Sequence, residues 1–159
     1  MKQKKTNVLR SLDKEKIDYK VFEYDYDPDA LSATAIAEDN GISLEQVYKT
    51  LVGKGDKTGV LVAVIPSGGT LNFKKLCKVA GNKKMTLVAV KDLQGLTGYI
   101  RGGCSPMGMK KPYPVFIDAS VEAQELVYVN AGQRGILVGM TPANLVQMAR
   151  AEVAELCVK

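Results

Sequence analysis

Histidine is missing from this chain altogether, and so is tryptophan. Without histidine, the Ser-His-Asp and Cys-His arrangements of nucleophilic catalysis are excluded, and the common histidine-rich metal sites go with them. Cysteine is scarce. Cys77, Cys104 and Cys157 are odd in number and none has CxxC spacing, which argues against a disulfide framework or a structural zinc site. Long apolar runs are lacking too. The longest, such as residues 60–66, are strand-sized and fall far short of the ~20 residues that a membrane span needs. No apolar signal core follows the charged opening Met1-Lys-Gln-Lys-Lys5. A cytoplasmic protein with no membrane partner is expected.

These absences confine any catalysis to lysine, carboxylates, hydroxyls, a thiol, backbone amides or the substrate itself. The residues that are present fit a globular chain. Hydrophobic residues make up 46% of the 159 positions and charged residues 25%, enough for one core, so a single domain over residues 1–159 is the economical reading. The net charge of +5, from 22 basic and 17 acidic residues, favours a polyanionic partner without identifying one.

Periodicity predicts short elements of both kinds. Thr6 can cap a helix running to about residue 16, with Val8, Leu9 and Leu12 on one face. Residues 19–24 alternate like a strand and end in the turn-rich stretch 25–29. Ser32 can cap a short helix over 33–40, with Gly41 as its stop, and Ser43 with Gln46 has the spacing of a capping box. Strands are predicted over 48–53 and 59–65, joined as a hairpin, then a helix over 73–80 closed by Gly81. A strand over 85–90, a short helix over 91–96 and a strand over 98–100 lead into a glycine-rich loop. Short strands follow over 114–117, 126–129 and 136–140, with a turn over 130–135. Thr141-Pro142 opens a last helix to about residue 150. Irregular mixing of helices and strands, with no βαβ repeat, gives the α+β class.

Two stretches could carry chemistry. In Val47-Tyr-Lys-Thr-Leu-Val52, Lys49 shares a strand face with Val47 and Leu51. A cation on an apolar face must be paired, meet an anion or reach water along its stem. In Thr97-Gly-Tyr-Ile-Arg-Gly-Gly-Cys-Ser-Pro-Met-Gly-Met-Lys-Lys111, the glycines allow close approach of backbone amides to an anion, either a phosphate or the oxyanion of an attacked ester. An ordinary surface loop is the plainer reading, and the spacing fails as a P-loop or dinucleotide fingerprint. Cys104 would need an activator to act as a nucleophile and reads better as a small packing residue. The acidic turn of Asp25, Asp27 and Asp29 does not continue as a calcium loop, so no metal is expected. Tyr24 ends its strand as either core or site wall, and Gly132, Arg134 and Gly135 form a second glycine-basic turn.

Taken in order, Gln46-Val-Tyr-Lys-Thr-Leu51, the loop from Gly98 and Tyr99 through Gly102, Gly103, Ser105, Pro106 and Gly108, and Gly132-x-Arg134-Gly135 resemble the YbaK family of Cys-tRNA(Pro) deacylases. These are kin of the editing domain inserted in bacterial prolyl-tRNA synthetases. The resemblance covers essentially the whole chain. It implies a mixed, barrel-like β-sheet flanked by short helices, and a free-standing protein that removes mischarged cysteine from tRNA(Pro), with tRNA(Cys) as a further acceptor. Cysteine and proline are close in volume, so binding alone discriminates between them poorly and a second, hydrolytic site is needed.

By the same resemblance Lys49 matches the family's essential lysine beside the terminal adenosine, and Gly102 and Gly103 belong to the catalytic loop. Tyr24, Ser105 and Pro106 are implied as substrate-binding residues. The family's substrate thiol is held to attack its own carbonyl, releasing a thiolactone, so the reaction is formally closer to a lyase than to a hydrolase. The implied partners are the aminoacylated 3′ end of a tRNA and prolyl-tRNA synthetase, with no DNA and no cofactor. Residues 136–140 are apolar where some relatives carry acidic residues, so any carboxylate that acts there in those relatives is lacking here. The alternatives are another specificity, such as Ala-tRNA(Pro), or a non-catalytic tRNA- or nucleotide-binding module docking on the synthetase.

Overall fold

A computed structural model describes residues 5–24 and 41–158. Helix α1 (Asn7–Lys14) is capped by Thr6, whose hydroxyl accepts from the Leu9 amide at 3.2 Å, and it buries Val8, Leu9 and Leu12. Strand β1 (Lys20–Glu23) follows. The Ser43–Gln46 capping box forms as expected and closes a single 3-10 turn ahead of β2 (Tyr48–Gly55). Strand β2 pairs antiparallel with β3 (Gly59–Pro66), so that Lys49 lies opposite Ile65 and Thr50 opposite Val64. Helix α2 (Phe73–Ala80) ends at Gly81, and β4 (Met85–Leu87) and α3 (Val90–Thr97) come next. The rest of the chain forms β5 (Val115–Asp118), β6 (Val127–Asn130), β7 (Ile136–Met140), α4 (Pro142–Ala149) and β8 (Ala151–Ala154).

The strands form two sheets, ordered β1-β7-β6 and β4-β2-β3-β5-β8. The first is antiparallel, whereas the second is mixed, with β3, β5 and β8 running parallel. An isolated parallel bridge between Val47 and Tyr128 brings the start of β2 against the smaller sheet. The α+β class holds, but the expected barrel-like sheet is two sheets joined at that bridge, and no closed barrel forms among the described residues. Alternation along β2 and β3 feeds two cores. Tyr48, Val52, Val62 and Val64 face the larger one with α1, and Leu61, Ala63 and Ile65 face a smaller one with Leu76 and Leu156.

Three local expectations need correction. Residues 98–100 are not a strand: Gly98 ends α3 with φ +87°, the Thr97 hydroxyl accepts the Tyr99 amide, and the Tyr99 hydroxyl donates to Met107 O at 2.6 Å. The chain folds onto itself there and has no neighbouring strand to join. The strand expected over 85–90 stops at Leu87, because α3 begins at Val90. Strand β8, not anticipated, exists because Ala151–Ala154 reaches the open side of β5. The turn expected over 25–29 and the helix over 33–40 lie outside the described residues. Among the described residues no helix is long and apolar enough to cross a membrane.

Asp118 fixes the C-terminal segment. It is 7% exposed, and its carboxylate accepts from the amides of Leu156 (2.9 Å), Cys157 (3.2 Å) and Ser120 (3.1 Å). Burial alone would raise its pKa, but the hydrogen bonds from Ser120 and the Leu156 amide outweigh that and hold it below the ordinary carboxylate value. A lowered folded pKa stabilises the fold fully above the unfolded value of ~3.9, and the contribution is lost as pH falls through the folded value. We expect Asp118→Asn to lose about 1–3 kcal/mol at neutral pH. Denaturant titrations across the acid range should show a shallower decline for the variant; an unchanged slope would assign the acid sensitivity to another carboxylate.

Candidate active site

A cavity of about 250 Å³ opens where the start of β2 meets the smaller sheet. Tyr24, Lys49 and Gly102 line it, so three residues spread over 79 positions of chain meet at one place. Val47, Tyr48, Thr50, Ser67, Cys104, Asn130 and Leu137 also line it, and no carboxylate is among these described residues. Lys49 is half-buried and, among the described residues, has no acidic group at ion-pair distance. The ammonium is left available to an anion.

The other three anticipated residues do not line the cavity. Gly103 is buried against the 130–135 turn, where an added Cβ would lie 3.1 Å from the Arg134 amide nitrogen. Its own amide already donates to Ile100 O at 2.9 Å, so it is not an open donor for an oxyanion. Ser105 is fully buried, and its hydroxyl accepts from the Met107 amide at 3.3 Å. Pro106 faces a separate cavity with Met107, Tyr113, Lys110, Lys111 and Arg150. Gly103 and Ser105 shape the loop from within, while Gly102 and Cys104 present it to the site.

Sequence reasoning treated residues 130–135 as a simple connection between strands and so missed Asn130. Its Oδ1 accepts from the amides of Gly132 (2.7 Å) and Gln133 (3.0 Å), which closes the turn, and its Nδ2 donates to Gly102 O at 2.8 Å. Arg134 Nε adds a second tie to Arg101 O at 2.7 Å. On the other side of the turn, Gly135 O accepts the Tyr24 amide at 2.9 Å. Gly135 has φ +87°, and a Cβ there would lie 2.7 Å from Tyr24 O, so no side chain fits. One turn therefore sets the position of both Gly102 and Tyr24. An Asn two residues before a glycine is a common turn signal, which is why its second role was not visible.

Among the described residues, none at this cavity is an activated nucleophile. Cys104 is the lining thiol, and burial pushes it up to about 11, only partly offset by a hydrogen bond with Thr97. Cys157, outside the cavity, is likewise raised to about 11 by burial and the adjoining Asp118, and Cys77 is raised by burial. All three remain protonated near neutral pH. Leu137 occupies the wall in the apolar stretch 136–140. What remains is one cation, hydroxyls and backbone, which suits an already activated bond better than an inert one.

Residues 27–148 match the aminoacyl-tRNA editing domain family. The chain belongs to that family. EbsC of Enterococcus faecalis, whose name proposes Cys-tRNA(Pro)/Cys-tRNA(Cys) deacylase activity, is 42% identical over 157 residues, covering 99% of this chain and 96% of EbsC. The proline–tRNA ligase of Thermosipho africanus is 29% identical over 92 residues, covering 58% of this chain and 16% of the ligase. A crystal structure described as a proposed trans-editing enzyme for prolyl-tRNA synthetase superposes with a TM-score of 0.78 at 26% identity, covering 89% of this chain and 87% of the other. For this editing domain, the Asn130 tie is testable without substrate. Asn130→Asp keeps the oxygen that closes the turn and removes the N–H that holds Gly102. Amides 101–105 should exchange hydrogen faster, with about 0.5–1.5 kcal/mol lost in global stability. Unchanged exchange would show that Arg134 alone holds the loop.

Proposed function

We propose that this chain is a free-standing editing deacylase that removes cysteine misattached to tRNA(Pro), with Cys-tRNA(Cys) a further substrate. The observation that carries the reading is the similarity to EbsC along essentially the whole chain, at 42% identity. The cavity supports it independently, by joining Lys49, Tyr24 and Gly102 around a space suited to a small aminoacyl group. Lys49 would sit against the terminal ribose and its phosphate, stabilising negative charge as the ester opens. We place the activity in the cytosol, within one editing domain over residues 1–159. Prolyl-tRNA synthetase is the partner that would bring the charged tRNA, a reading supported by the similarity to a proline–tRNA ligase.

The absence of histidine, the protonated Cys104 and the lack of a carboxylate among the described lining residues favour a nucleophile supplied by the substrate. In that step the cysteinyl sulfur bonds to its own carbonyl carbon and the ester C–O bond breaks. The thiol proton ends on the ribose hydroxyl, and a cyclic thiolactone leaves. The protein's part is to hold the ester and thiol in register and to offset charge on the departing oxygen.

A deacylation panel tests this reading, using tRNA(Pro) charged with cysteine, serine, alanine or proline, with and without the synthetase. Cysteine should leave far faster than serine, whose hydroxyl is a much weaker nucleophile. Equal rates for the two would rule out attack by the substrate thiol. Lys49→Ala should lower the rate by on the order of 10²-fold while leaving the melting temperature near that of the parent. Tight binding of tRNA without cleavage would favour a non-catalytic module instead.

A further inference from the structure

Among the described residues, one buried side-chain polar atom has no hydrogen-bond partner, and it is Thr50 Oγ1. Thr50 also lines the Lys49 cavity. Buried polar groups in native folds are almost always paired, because an unpaired one destabilises the folded state. Valine has nearly the shape of threonine and equal aptitude for a strand, so the hydroxyl brings this position no structural benefit. It lies on the face of β2 that it shares with Tyr48 and Val52, opposite the face of Lys49.

Several of the polar groups around the cavity are already committed, although Ser67 and Tyr24 add hydroxyls of their own. The Asn130 side chain uses its oxygen on two turn amides and one N–H on Gly102. Tyr48 OH is paired with Ser120 Oγ at 2.6 Å. Lys49 can only donate, and among the described residues no carboxylate lines the space. An aminoacyl ester on a ribose carries donors of its own, the α-amino group and the neighbouring hydroxyl. Thr50 offers an uncommitted oxygen to such a donor. Because Oγ1 is itself buried, meeting that donor requires a turn about χ1 that exchanges the hydroxyl with the methyl.

We propose that Thr50 is a substrate-binding residue whose hydroxyl holds the aminoacyl-ribose end by a hydrogen bond, complementing the cation of Lys49. The inference rests on the deacylase reading for the identity of the ligand. It accounts for an oxygen that the fold leaves unpaired.

The test compares Thr50→Val and Thr50→Ser with the parent in two assays. One is kcat/KM for Cys-tRNA(Pro); the other is affinity for 3′-cysteinylamino-3′-deoxyadenosine, an amide-linked analogue that resists cleavage. Thr50→Val should melt at or above the parent temperature yet lose about tenfold in both readouts, whereas Thr50→Ser should stay within about threefold. Parent-like values for Thr50→Val in both assays would overturn the proposal. If the parent cleaves no aminoacyl-tRNA, the deacylase reading falls, and the analogue affinities alone decide Thr50. Failure of the parent both to cleave any aminoacyl-tRNA and to bind the analogue would overturn both.

Discussion

The turn over residues 130–135 is where separate parts of this fold are fastened to one another. Asn130 closes it with two amide hydrogen bonds and reaches out to Gly102, while Arg134 reaches Arg101. Gly135 takes the Tyr24 amide, and Ala131 O accepts from the Thr6 hydroxyl at 2.6 Å, which ties in the cap of α1. Three segments distant in sequence thus share one anchor. Each bond is of ordinary strength, but together they leave the glycine loop few alternative positions. A site that works by positioning needs such rigidity, since a small displacement of the reacting groups costs much of the rate.

The same anchoring explains how a glycine-rich loop can be well placed. Gly103 fits against the turn only because it lacks a Cβ, and Ser105 turns inward to hold the Met107 amide. Tyr99 crosses beneath to Met107 O, so the loop is braced from the core as well as from the turn. The outer residues, Gly102 and Cys104, then face the cavity without being free to wander. Chemically the result is a sparse site: a cation on β2, lining hydroxyls, and a thiol that burial keeps protonated. Such equipment suits an ester, whose carbonyl is already reactive, better than an inert bond.

Much of this was legible in residue order. Thr6, Ser43 and Thr141 each cap the element they were expected to cap, because capping depends only on neighbours within three residues. The β2–β3 hairpin and the glycine stop of α2 are local in the same way. The ordered motifs around Lys49, Gly102 and Gly135 pointed to the editing family that the chain belongs to. Strand β8 was not legible, because Ala-Glu-Val-Ala has no pattern of its own and is extended only by pairing with β5. Residues 98–100 misled in the opposite sense: they look strand-like but have no neighbour to pair with.

Composition by itself determined the kind of chemistry open to this protein, since a side chain that is absent cannot act. With no histidine, the candidates were already reduced to lysine, carboxylates, hydroxyls, thiols, backbone amides and the substrate itself. Residue order added the local elements and the family. Only the tertiary structure decided which of the candidates meet. It brought Tyr24, Lys49 and Gly102 to one cavity, drew Gly103 and Ser105 behind the wall, and sent Pro106 to another face. It also gave Asn130 and Thr50 their significance, because whether a polar atom is paired depends on segments far away in the chain. Hydrogen-bond partners across such distances are fixed by packing, and packing is not written in any local stretch of sequence.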